Sequence, residues 1–335
     1  MEEISEEIWK KILNRQNFPL IGTIEPNNGN GYHDGLSWYT PFVKERENES
    51  FNEFRTIYLR DLSNELHSIF RSKNKFVEAL DIKECSENYK KTFEKYISVD
   101  EFQRNKISYQ LGDWGRYLGY KGRLIFEIVG WQDNNTNQFY AFELKRLDTD
   151  YCKLRSNHIT YNAPFEQKGD KIIFRKVRIP KYKCIVIDFP NEFGGYKGFI
   201  KKDKQVLSLG NRYKFDINPQ NLQKNYESNI EWDKKYHKII ADWGTSPFTT
   251  IDDVSEFYKE LNFFKYRYLV ICCTHEIING LKQLIDYLNR KLLENAEVEF
   301  KVKEYDKDYF KSMKNKFVAG ELSFKEANEF LKFYH

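Results

Sequence analysis

The sequence predicts an α+β protein with a small central antiparallel sheet, an N-terminal helical lobe and a long C-terminal helix. Three observations point there. Residues 51–80 repeat apolar side chains at helical spacing, residues 123–189 break into short runs rich in β-branched and aromatic residues, and residues 254–293 are apolar almost without interruption. At 335 residues the chain exceeds the length at which one core stops growing, about 250–300 residues. Two regions are therefore expected, a mostly helical one over 1–100 and an α+β body over 101–335.

Residues 2–14 place Ile4, Ile8, Trp9 and Ile12 on one stripe of a short helix. Residues 19–41 carry Gly22, Pro26, Gly29, Gly31 and Gly35 among asparagines, which predicts a turn-rich loop. Phe54, Ile57, Tyr58, Leu62, Leu66, Ile69 and Phe70 predict a helix within 51–80. A second helical run over 86–119 is weakened toward its end by Gly112, Gly115 and Gly119.

The period then changes. Arg123–Trp131 and Phe139–Leu147 predict a β-hairpin that turns near Asn134–Asn137. Further short strands are expected at His158–Tyr161, Lys171–Val177 and Cys184–Phe189, punctuated by Pro180 and Pro190. The polar stretch 190–250 predicts one helix around Asn229–Trp243, with Gly194, Gly195 and Gly198 in a loop before it. Leu281, Leu284, Ile285, Leu288 and Leu292 form the inward stripe of the long helix expected over 254–293, although Tyr266–Cys273 alone would fit a strand equally well. Val298–Val302 alternates like a half-buried strand, a helix follows Asp306, and Ser323 with Glu326 fits a capping box opening a last helix.

Composition narrows the classes. Apolar residues make up 40% and aromatic residues 17%, the balance of a folded chain, and a net charge of +4 with interspersed signs permits nucleic acid without indicating it. The 5 cysteines are odd in number and lack CxxC spacing, which predicts a reducing compartment. The acidic, amphipathic N-terminus lacks the order of a signal peptide and no stretch reaches about 18 apolar residues, so neither secretion nor a membrane is expected.

Few motifs carry chemistry. Glu127 on one predicted strand and Glu143-Leu144-Lys145 on the next supply the two carboxylates and lysine that PD-(D/E)xK nucleases gather around Mg²⁺, a hard cation that demands oxygen ligands. The plainer account of the same residues is a solvated hairpin edge. The histidines are scattered and Cys152 with His158 has no second ligand couple at zinc spacing, so no metal or cofactor is expected. The glycine-rich segment 29–35 follows no strong strand and is expected to be a loop, and the absence of GxxxxGK[ST] and GxSxG removes P-loop NTPases and the commonest serine hydrolases. Cys272-Cys273 fits packing within a helix. The cationic aromatic runs KYRYL and NRYKF would suit stacking on single-stranded nucleic acid, and core packing accounts for them as well.

Taken in order, the segments from residue 100 onward resemble phage portal proteins. Phe102–Val129 is similar to the passage in which a helix and a glycine, here Gly122, lead into a strand ending in Glu-Ile, here at Glu127. Phe142–Thr149 resembles the paired strand, and Arg178–Pro190 the Ile-Pro strand before a glycine loop, here Gly194, Gly195 and Gly198. The long helix ending in LIDYLNRKLL, the strand VEFKV, Asp306, a helix and Gly320-Glu321-Leu322-Ser323 with Glu326 resemble the way portal subunits close. The resemblance implies a structural, ring-forming subunit without catalytic residues, a head-tail connector in host cytoplasm or virion. Its partners would be identical copies, capsid or tail proteins, and double-stranded DNA passing without sequence specificity. Lys282, Arg290 and Lys291 on the outer face of the long helix would be the residues turned toward DNA. Two alternatives stay open: the Mg²⁺-dependent nuclease of Glu127, Glu143 and Lys145, and a bacterial defence or regulatory protein of unrecorded fold.

Overall fold

The computed structural model describes residues 20–21, 58–71, 80–87, 89, 107–132, 139–168, 171–209, 222–247, 255–300 and 306–332. Along the chain run β1 (Leu20–Ile21), α1 (Arg60–Arg71), β2 (Leu80–Lys83), α2 (Ile107–Lys121), β3 (Arg123–Gln132) and β4 (Phe139–Leu147). There follow β5 (Cys152–Leu154), β6 (His158–Lys168), β7 (Lys171–Pro180), β8 (Cys184–Asp188), α3 (Gly195–Leu207), α4 (Leu222–Trp243), α5 (Glu256–Leu292), β9 (Glu297–Phe300), α6 (Lys307–Val318) and α7 (Phe324–Lys332). The class is α+β, as the sequence predicts. The predicted helix over 2–14, the segment 29–35 and the hairpin turn at 134–137 lie outside the described residues.

β3 is the spine of the larger sheet. It pairs antiparallel with β4 along one edge, and along the other with β8 at Arg123–Glu127 and β1 at Gly130–Trp131. Period-2 alternation divides its side chains between two environments. Leu124, Phe126 and Ile128 join the main core with Ile185, Ile187 and helices α1, α2 and α5. Ile125 faces the other way, into a smaller core shared with Leu147, Cys184, Ile159 and Ile179. Ile159 and Ile179 come from a separate three-stranded sheet, ordered β5-β6-β7.

α5 explains its long apolar run by being enclosed over most of its 37 residues. Tyr266–Cys273 is part of this helix and not a strand, because helical continuity on both sides and burial all round replace the two-sided exposure a strand pattern would need. Gly280 lets the helix approach β8 closely: a Cβ there would stand 2.6 Å from the Ile187 side chain. The edge of β8 is closed by a side chain. The Val186 N–H donates to Gln283 Oε1 at 2.9 Å, and Gln283 Nε2 donates to the Val186 carbonyl at 3.0 Å.

The first hundred residues do not stand apart where they are described. α1 packs on α2 in the main core, and β2 pairs antiparallel with β9 beyond the end of α5. Gly115 and Gly119, expected to weaken α2, are where α1 crosses it: a Cβ on Gly115 would lie 2.6 Å from the Leu66 carbonyl oxygen, and one on Gly119 2.7 Å from Ser63 Cα. Ser63 Oγ donates across this contact to the Arg116 carbonyl at 2.7 Å.

The glycines 194, 195 and 198 also serve a helix. Gly194, at φ 87°, caps the start of α3, where three glycines in five residues predict a loop. Phe199 and Val206 anchor α3 in the core, and its buried Asp203 accepts a hydrogen bond from the hydroxyl of Tyr58, just before α1. The last helices end and begin by expected devices. Asp306 caps α6 through the backbone N–H groups of Asp308 and Tyr309, Gly320 at φ 74° closes it, and Ser323 and Glu326 form the capping box of α7.

Candidate functional site

The β3–β4 register places Glu127 opposite Lys145, and β3–β8 pairing places Cys184 on its other side. The three side chains therefore share the face of β3 that looks toward the smaller core. Glu127 is 0% and Lys145 3% exposed, so the pair is not a solvated hairpin edge. Opposite charges at directly opposed strand positions attract, and burial removes the screening that weakens surface pairs. Burial pushes the Cys184 thiol up to about 12, with the nearby Glu127 carboxylate adding to it. Tyr287 of α5 is raised as well, by burial first and then by Tyr182 and Glu127. Glu143 takes the register position opposite Val129, and its side chain lies outside the described part of the structure.

A Mg²⁺-dependent nuclease needs carboxylate oxygens that meet on a cation still open to water and phosphate. The closed positions of Glu127 and Lys145 offer a phosphodiester no approach. Among the described residues there is no group of three or more His, Cys, Asp or Glu that could hold a metal ion. The strand register thus sets a buried carboxylate and a buried lysine at opposed positions on one closed face of the sheet.

The residues expected to face DNA lie on the last turns of α5. Lys282 and Arg290 are exposed and Lys291 is half-buried. Asp286 is also exposed, one helical turn from both Lys282 and Arg290, so this stripe alternates in sign. Arg290 and Lys291 sit in the final turn, where cations are favoured by the helix dipole whatever their other role.

The run KYRYL does not present stacking rings. Tyr266 and Tyr268 are 2% and 5% exposed, the Tyr266 hydroxyl donates to the Asp61 carbonyl, and Arg267 pairs with Glu65. The run NRYKF lies outside the described residues. Cys272 and Cys273 are buried in α5 and free, which suits packing. One feature escaped sequence reasoning: the bidentate grip of Gln283 on β8, which has no local signature. Among the described residues no helix is long and apolar enough to cross a membrane. Set against protein-family models, curated proteins and solved structures, the chain matches none.

Proposed function

We propose that this chain is a structural subunit that closes into a ring of identical copies and lets double-stranded DNA pass, in the manner of a phage portal protein. One observation carries the reading. The C-terminal segments whose order resembles portal subunits fold around α5 and leave an apolar patch at its start, where Tyr258, Val318 and Phe324 are 57%, 54% and 44% exposed. The Phe257 ring beside them lies 5.8 Å from that of Tyr258, 5.2 Å from that of Phe317 and 6.5 Å from that of Phe324. Grouped exposed apolar side chains mark contact surfaces, and a second copy is the partner that a ring supplies. A head-to-tail contact of this kind closes into a ring when its rotation divides the circle.

The burial of Glu127 and Lys145 favours this reading over the nuclease, which needs carboxylates open to a cation and phosphate. Light scattering coupled to size exclusion tests the reading, with Phe324→Asp as the disrupting variant. The parent should elute as one large discrete species and the variant as a smaller one with unchanged helical content. A monomeric parent that cleaves DNA when Mg²⁺ is added would instead support the nuclease.

A further inference from the structure

The small net charge hides a concentration of cations in one sheet. Residues 153–183 hold nine lysines and arginines against two carboxylates, Glu166 and Asp170, although the whole chain carries only +4. This stretch builds most of the three-stranded sheet β5-β6-β7, which packs over the smaller core. Residues opposed across an antiparallel pair share a face, and successive residues alternate between faces. Leu154, Ile159 and Ile179 are opposed in one row and Cys152, Tyr161 and Val177 in another, and all six belong to the smaller core. The opposite face therefore carries Lys153, Thr160 and Arg178 in one row and Asn162 with Lys176 in the next.

This outer face is open to solvent. Lys153, Lys176 and Arg178 are exposed, and among the described residues none of them enters an ion pair. Strand geometry sets Lys176 and Arg178 about 7 Å apart along β7 and Lys153 about 10 Å across the sheet from Arg178. Arg155 and Lys181 are exposed at the end of the sheet, where the Lys181 N–H donates to the Asn157 carbonyl at 2.9 Å. Asp148 and Asp150 lie in the turn before β5, where Asp148 accepts from the Asp150 backbone N–H, and neither takes a register position on the face. Glu166 and Asp170 belong to the far end of the hairpin, beyond the irregularity after Pro164. Phe174 stands two residues before Lys176 on the same face, opposite Pro164. Its ring is 40% exposed and lies 5.1 Å from that of the buried Tyr151, which backs it.

We propose that the outer face of the β5-β6-β7 sheet binds single-stranded nucleic acid, with Lys153, Lys176 and Arg178 on phosphates and Phe174 under a base. Cations spread over a face supply the electrostatic part of such binding, and a ring held at their edge stacks on any base. A duplex keeps its bases stacked on one another, so it would use the cations and leave Phe174 idle. An anionic membrane would be met by cations beside several apolar side chains able to insert, and Phe174 is the large apolar side chain exposed on this face. The site goes beyond the ring reading and does not depend on it.

Fluorescence anisotropy of a labelled oligothymidylate of about 15 nucleotides, titrated with the full chain over a salt series, tests this. The parent should bind, and its affinity should fall as salt rises. Lys176→Gln/Arg178→Gln should weaken binding and lower the slope of log affinity against log salt by about 1.4, the value for two phosphate contacts on a single strand. Lys153→Gln, from the other edge strand, should lower it by about 0.7. Phe174→Ala should cost about tenfold in affinity with the slope unchanged, and Phe174→Trp should keep the parent's affinity. Lys201→Gln/Lys204→Gln removes two exposed charges from α3 and should change neither quantity. A parent that does not bind, or a β7 variant that behaves like the α3 variant, would overturn the face. A duplex of the same length bound as tightly, or binding to vesicles containing phosphatidylserine without binding to the oligonucleotide, would overturn the assignment to a single strand. Molecular size is read in the same samples, so failure of the ring and failure of this face are separate results.

Discussion

Removing the Lys145 ammonium would leave the Glu127 carboxylate at 0% exposure with its opposed charge gone. Taking away the cation across from a buried carboxylate costs on the order of 1–3 kcal/mol, whereas replacing both residues by apolar ones of similar volume is often close to neutral. Lys145→Ala should therefore lower the free energy of unfolding in urea by about that amount, and Glu127→Leu/Lys145→Met should recover most of it. A catalytic pair would show the reverse, a tolerated single variant with lost activity. Gly122 makes a second residue-scale test. It sits at φ 67°, and an added Cβ would stand 2.3 Å from the buried Phe199 ring, so Gly122→Ala combines left-handed strain with overpacking and should cost about 2–5 kcal/mol. Gly320 has the same backbone hand but open space around it, so Gly320→Ala should cost only the conformational part, about 1–2 kcal/mol, in the same unfolding assay.

Among the elements, α5 and α7 carry the clearest expectations. Leu288 is 0% exposed on the stripe that packs inward, and Leu288→Ala should leave a cavity costing about 2–5 kcal/mol, read by chemical denaturation. In α7 the Glu326 carboxylate is held below its ordinary range by hydrogen bonds from the Ser323 hydroxyl and backbone N–H. Its lower folded pKa means that the contribution is present above the unfolded value and is lost as pH falls through the folded one. Ser323→Ala should thus melt below the parent at neutral pH, and the gap should narrow as the solution is acidified.

Both of these elements were legible in the sequence, because periodicity and a capping box are local signals. α3 was not: three glycines within five residues favour a loop on propensity, and the helix is secured by distant contacts, Phe199 under Gly122 and Asp203 on Tyr58. The glycines of α2 misled for a similar reason, since their value lies in what α1 places against them. At the site, the juxtaposition of Glu127 and Lys145 followed from the predicted hairpin. Their burial did not, because it depends on a second sheet packing over that face.

At the scale of the whole molecule, the described elements form a main core around α5, a smaller core between the two larger sheets, and an aromatic cluster where α5 meets α6 and α7. The apolar patch around Phe257, on which the proposed ring rests, lies at the edge of that aromatic cluster. If identical copies cover it head to tail, the assembly has a fixed number of subunits and no free patch remains. Mass photometry of the purified chain at nanomolar concentration measures this directly. A single narrow peak at a high integer multiple of the 40.4 kDa subunit is the predicted result, and a distribution confined to monomer and dimer would contradict it.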